Sequence, residues 1–204
     1  MDYTQYGEQS YILKYFNNKT NGFCVDFGAA DGVRYSNTRF LLSELDWTGI
    51  LIEPNPEAFN SLKELYRDTE NTVLNLACFS EEGEMDFYVY GSGAESQVST
   101  LSTDFKERVM RVHGDKFLKQ PVKVSAQKMS TILKDSQQID FISIDCEGVD
   151  MDVLKSNDWD KIRPKLVCIE HSMDKRVLLD FMSEQGYRKT HTTIGNTFFE
   201  DTKQ

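Results

Sequence analysis

Short, wholly apolar runs alternate along this chain with longer stretches in which apolar residues recur every three or four positions. Phe23, Val25 and Phe27, with Cys24 between them, predict a buried strand that ends near Gly28. Ile50–Ile52, Phe141–Asp145 and Leu166–Glu170 read as strands of a sheet covered on both faces. Thr72–Ala77 and the alternating Glu84–Tyr90 predict two more, and Pro121–Ser125 is extended. Helical spacing covers Gln9–Phe16, Thr38–Leu45, Asp104–His113, Ala126–Leu133, Val149–Leu154 and Lys175–Gln185. A further helix opens at Asn55-Pro56, where Asn can cap and Pro suits the first turn. Tyr187–Ile194 and Asn196–Glu200 predict a closing hairpin around Gly195-Asn196. Gly91–Thr103 is rich in Gly and Ser, has little to bury and predicts a loop.

This alternation predicts an α/β fold: a mostly parallel sheet with helices on both faces and an antiparallel hairpin at its C-terminal end. No repeat or linker divides the 204 residues, so one domain over residues 1–204 is expected. Such sheets bind ligands at the carboxyl ends of their strands. Acids collect where those ends fall: Asp26 and Asp31, then Glu53, then Asp145 and Glu147, then Glu170 beside His171. Gly28-Ala29-Ala30-Asp31-Gly32 is a turn where backbone can approach a ligand closely. Glu53 ends the second strand 21 residues after Gly32, a place from which a carboxylate holds ribose hydroxyls. The turn lacks the G-x-G-x-x-G of a dinucleotide site, and its Asp31 would repel a pyrophosphate but accept from an α-ammonium. That favours S-adenosylmethionine over a nicotinamide cofactor.

Asp145 and Glu147 could orient or deprotonate an acceptor hydroxyl. They could equally hold a divalent metal such as Mg through oxygen ligands, or simply shape the turn and cap the next helix. His171 offers a base or a satisfied structural imidazole. Ser36-Asn37-Thr38 suits either capping or a grip on the cofactor's carboxylate.

The net charge of −10 argues against a general nucleic-acid binder. No apolar run reaches the roughly 20 residues of a membrane span, and MDYTQYGEQS lacks a signal-peptide pattern, so a cytoplasmic location is expected. Cys24, Cys78, Cys146 and Cys168 lie in or beside predicted strands with no CxxC spacing, which reads as reduced, buried thiols.

Several pieces, in order, carry a family likeness: Gln5-Tyr6-Gly7-Glu8, Val25 to Gly32, Ser36-Asn37-Thr38, Trp47-Thr48-Gly49, Ile52 to Pro56, Ile139 to Gly148, and Ile169-Glu170. Together they resemble the FkbM family of S-adenosylmethionine-dependent methyltransferases. The resemblance implies a class I methyltransferase (Rossmann-like) fold with a seven-stranded sheet. It also implies methyl transfer to a hydroxyl of a sugar, glycan precursor or natural-product small molecule. By position, Asp26, Gly28, Ala29, Asp31 and Asn37 would line the methionine part of the cofactor, with Asp145 beside them. Glu53 and Pro54 would hold the ribose, the stretch Ala77-Cys78-Phe79 would flank the adenine, and Gln5 and Glu8 would close over the cofactor from the N-terminal side. Asp145, Glu147 and His171 would face the acceptor. Two other readings share these residues: an RNA ribose 2′-O-methyltransferase, and a binding protein that kept the fold without catalysis. Gly91 to Val124 matches no part of the family pattern and is where acceptor specificity is expected.

Overall fold

Strands β1 (Phe23–Phe27), β2 (Thr48–Ile52) and β3 (Thr72–Leu74) run outward in one direction from the middle of a seven-stranded sheet. In the other direction lie β7 (Phe141–Ile144), β8 (Leu166–Glu170), β10 (Asn196–Asp201) and β9 (Tyr187–Thr192). The computed structural model describes residues 1–91, 98–171 and 174–203. β1, β2, β3, β7 and β8 pair in parallel, and β10 pairs antiparallel with both β8 and β9. The strand order reverses between β1 and β7. At such a switch point the connections leave in opposite directions and open a crevice at the carboxyl ends.

The pleat explains the two cores. Val25, Phe27, Ile142, Ile144, Val167 and Ile169 point to one face and pack with helices α6 (Asp150–Lys155) and α7 (Lys175–Glu184). Cys24, Phe141, Leu166 and Cys168 point to the other, against α1 (Glu8–Tyr15) and α2 (Arg39–Glu44). Helix α3 (Pro56–Leu65) starts as its sequence predicts: the Asn55 side chain accepts from Glu57 N–H and Pro56 sits in the first turn.

Three expectations need correction. The strand predicted over Thr72–Ala77 stops at Leu74, because the Asn75 amide turns back to donate to the Glu53 and Pro54 carbonyls at 2.8 and 3.1 Å. Ala77–Cys78 is instead β4 of a second, three-stranded sheet with β5 (Gly83–Phe87) and β6 (Val122–Gln127). Ala126 and Gln127, predicted as helix, continue β6: Val124 and Ala126 point into an apolar cluster with Ala77, Phe87 and Val89, so the period of two outlasts Ser125. Only Met129–Ile132 remains as the helix α5. Of the predicted loop Gly91–Thr103, residues 92–97 lie outside the described residues, and Thr103 opens helix α4 (Thr103–His113). Among the described residues no helix is long and apolar enough to cross a membrane. All four cysteines are free, three of them buried and Cys146 half-buried.

The hairpin is tied to the N-terminal helix through Glu8, which is fully buried. Its carboxylate accepts from Thr193 Oγ1 at 2.6 Å, Asn196 Nδ2 at 2.9 Å and Tyr6 N–H at 2.8 Å. Burial alone would raise its pKa, but these donors outweigh it and hold the group below the usual range. Glu8→Ala orphans all three donors and is expected to cost about 3 kcal/mol, read as a lower urea midpoint at pH 7. A wild-type midpoint would disprove this anchoring role.

Candidate active site

Strand register builds the site. Phe27 lies beside Ile52 on one side and Ile144 on the other, and Ile144 beside Ile169. The next residue of each strand therefore falls in one layer at the switch point: Glu53, Gly28, Asp145 and Glu170. The main chain closes the layer, with Gly28 N–H donating to Ile52 O and Asp145 N–H to Phe27 O, both at 3.0 Å. Gly28 has φ +88°, and a Cβ there would lie 1.9 Å from the Asp145 carbonyl oxygen. Only glycine lets the turn pass this close to β7.

Glu53 is buried beside that turn. One oxygen accepts from Ala30 N–H at 2.8 Å and the other from Asn55 N–H at 2.7 Å. A carboxylate has about four lone-pair sites, so each oxygen keeps one for a ligand. Burial pushes its pKa up to about 7 against the two N–H donors, and Asp26 and Asp31 add to the rise. Asp26, raised by burial to about 6, accepts from Thr38 Oγ1 at 2.6 Å. Asn37 Nδ2 donates to Ser143 Oγ at 3.1 Å, and Ser36 Oγ accepts from Arg39 N–H at 3.0 Å. Ser36-Asn37-Thr38 thus binds the turn to β1, β7 and α2 at once.

After β7, the structural duty falls on Asp150. Fully buried, it accepts from Cys146 N–H at 2.8 Å and Gly148 N–H at 3.3 Å, and so holds the turn itself. Asp145 and Glu147 are thereby spared that role. One oxygen from each, with one from Glu170, lies within 4.8 Å of the others. Burial raises all three pKa values, Glu170's to about 7; Asp145 and Glu147 are next raised by the Glu170 charge.

Two adjoining hollows share Gly28, Ala30, Asp145 and Glu147. The wider, about 280 Å³, is lined further by Gln5, Asp26, Ala29, Asn37 and Ser143. The narrower, about 50 Å³, runs between Glu53, Pro54, Ala77, Cys78, Phe87 and Leu101, and must widen to admit a purine.

The structure therefore gathers most of the sequence candidates: Gln5, Asp26, Gly28, Ala29, Asn37, Glu53, Pro54, Ala77, Cys78, Asp145 and Glu147. Three lie elsewhere. Glu8 is spent on the hairpin. Asp31 turns to its own backbone, accepting from Val33 and Arg34 N–H at 2.9 and 3.1 Å. The His171 ring is held by the hairpin: Nδ1–H donates to the Ile194 carbonyl at 3.2 Å, so Nε2 accepts from Thr197 Oγ1 at 2.5 Å. Its imidazole has no lone pair left for base work, and burial, then Lys175, lowers its pKa. Glu170 was in the sequence's acidic group without a role; its partnership with Asp145 needs the β7–β8 register. Asp150 carried no signal at all, being one of three acids in the run Asp145 to Asp150.

The profile of the methyltransferase FkbM domain matches residues 26–189, well over half of the chain. No curated protein sequence matches it. Solved structures similar in fold include the precorrin-6y C5,15-methyltransferase of Geobacter metallireducens GS-15, 10% identical over 95% of this chain and 87% of that one, with TM-score 0.53. Another is the METTL16 methyltransferase domain, 12% identical with TM-score 0.52; the match covers 94% of this chain and 66% of that one, just under two thirds. The likeness shows the class I methyltransferase fold, which the mostly parallel seven-stranded sheet of this chain fits.

Proposed function

The chain belongs to the FkbM family of S-adenosylmethionine-dependent methyltransferases, and from that premise we propose that it methylates a hydroxyl oxygen of a small polyol, sugar or related metabolite. One observation carries this reading: Asp145, Glu147 and Glu170 converge beside the Gly28 turn while the Asp150 side chain holds the turn that follows β7. A hydroxyl must give up its proton as it becomes an ether. A carboxylate whose pKa burial has raised toward neutrality is matched to that task, because it is ionised enough to accept and basic enough to keep the proton. Glu170, at about 7, has that value, and Asp145 touches it.

The donor set suits the cofactor. Glu53 keeps two lone pairs for the ribose hydroxyls, Asp26 offers a carboxylate in the wider hollow to an α-ammonium, and Ala77 and Cys78 give the apolar wall an adenine needs. When bound, S-adenosylmethionine supplies a methyl group already activated on a sulfonium. The chain's own part is to seat the acceptor oxygen against the three carboxylates and to take its proton.

The test is incubation with S-adenosylmethionine and a panel of sugars, sugar nucleotides, polyols, amines and RNA, with the new methyl located by NMR. Methyl on oxygen of a small molecule is expected. Methyl on nitrogen or carbon, or on RNA alone, would overturn the proposal.

Glu53 makes cofactor binding pH-dependent. Ribose hydroxyls donate more strongly to its ionised form, so binding lowers its pKa and releases a proton when the free carboxyl is protonated. Affinity for S-adenosylhomocysteine is expected to hold above pH 7 and to weaken by about tenfold per unit between pH 7 and 5. Calorimetry in buffers of different ionisation heat reads the released proton at pH 6. A flat affinity down to pH 5 would remove Glu53 from the ribose.

A further inference from the structure

The three carboxylates at the ends of β7 and β8 raise a question of charge that their own surroundings leave open. Asp145 Oδ1 and Glu170 Oε2 are both shut off from solvent and meet no N–H donor of a described residue; what these side chains have is each other, through a hydrogen bond between the two carboxyl groups. Buried polar atoms are nearly always partnered, so two in one place ask for a missing donor or cation. Among the described residues, the cation that acts on Glu147 and Glu170 is Arg108, a single positive charge beside a group of three carboxylates. The backbone is also set apart here. Glu147 sits in the left-handed region at φ +52°, and its carbonyl accepts from Thr100 Oγ1 at 2.6 Å. Such strain persists where the surroundings enforce it, and it clusters at ligand sites.

We propose that Asp145, Glu147 and Glu170 bind one divalent cation, Mg²⁺ or Mn²⁺, which holds the acceptor's oxygen in an open coordination position. The proposal rests on the reading of this cleft as the acceptor's place. The geometry is close to that needed. Ligand oxygens on opposite sides of a Mg²⁺ ion lie about 4 Å apart, and about 5 Å apart around a larger ion. Three carboxylate oxygens within 4.8 Å of one another can close on one ion by side-chain rotation, one pair opposite and the rest adjacent at about 3 Å. The all-oxygen ligand set selects a hard ion over zinc or copper. The charge also closes: with Arg108, a divalent ion neutralises three carboxylates. Three protein ligands leave room for water and substrate on an ion that gives up its waters reluctantly.

The experiment is a Mn²⁺ titration of the whole chain saturated with S-adenosylhomocysteine, followed by electron paramagnetic resonance, with thermal melts alongside. One ion per chain is expected, displaced by Mg²⁺. Glu147→Gln and Glu170→Gln should each weaken uptake at least tenfold while S-adenosylhomocysteine still binds. Mg²⁺ at a hundred times its dissociation constant should raise the wild-type Tm by about 5 °C and that of Glu170→Gln by about half as much or less. Should the wild type take up no Mn²⁺ and show no shift with Mg²⁺, the ion is refuted and the methyltransferase reading stands. If S-adenosylhomocysteine does not bind, it is the cofactor reading that fails, and the Mn²⁺ result judges the ion by itself. The wild-type measurement decides the matter even if a variant folds poorly.

Discussion

Gly28→Ala is expected to lower stability by about 4 kcal/mol and to abolish S-adenosylhomocysteine binding, since both backbone strain and overpacking act at one residue. The added methyl would lie 1.9 Å from the Asp145 carbonyl oxygen and 3.0 Å from its carbonyl carbon. Both are backbone atoms of the adjoining strand end, so no side-chain rotation relieves the clash. The turn must either leave φ +88° or push β1 from β7, and either movement breaks the layer that holds Glu53 and Asp145. Gly83→Ala is the control: φ is +139° but nothing lies within 4 Å, so only the conformational term remains, about 1–3 kcal/mol. Urea unfolding and calorimetry of both variants separate the effects. A Gly28→Ala protein with wild-type midpoint and affinity would show that the close approach does not matter.

Asp145→Asn is expected to slow turnover by 10²- to 10⁴-fold, about the range a positioned acid–base group contributes, with cofactor affinity changed only a few-fold. The exchange keeps the shape and removes a charge that Glu170 and Glu147 oppose. Without added divalent ion the folded protein should therefore lose nothing in the melt. That combination separates chemistry from folding: a structural Asp145 would lower Tm along with activity. Single-turnover rates with bound S-adenosylmethionine give the measurement. Undiminished turnover would move the proton acceptor to Glu147 or Glu170, to be tested by their Gln variants in the same assay.

How much of this was legible beforehand divides by sequence distance. The glycine turn, the Asn55-Pro56 start, the closing hairpin and the strands either side of the switch point follow from periodicity and caps, which depend on residues a few positions apart. The second sheet was not legible. Val122 to Gln127 alternates as a strand should, but the alanine and glutamine at its end suit a helix equally, and only pairing with Ala77 and Cys78 decides between them.

The acidic strand ends were visible as a pattern, and with them the expectation of a nucleotide-like ligand. Their division of labour was not. Asp31 and Asp26 look alike in sequence, yet one bonds its own turn while the other faces the wider hollow. Glu8 and Gln5 lie in one motif, yet one is locked to Asn196, 188 positions away, and the other lines the site. His171 has its lone pair occupied by a hairpin residue 26 positions on. The sequence by itself determined the elements, their order and the carboxyl edge at which chemistry would collect, because those rest on local spacing. Only the tertiary structure decided which carboxylates are spent on structure and which are left for chemistry, because that depends on strand register and on donors brought from far along the chain.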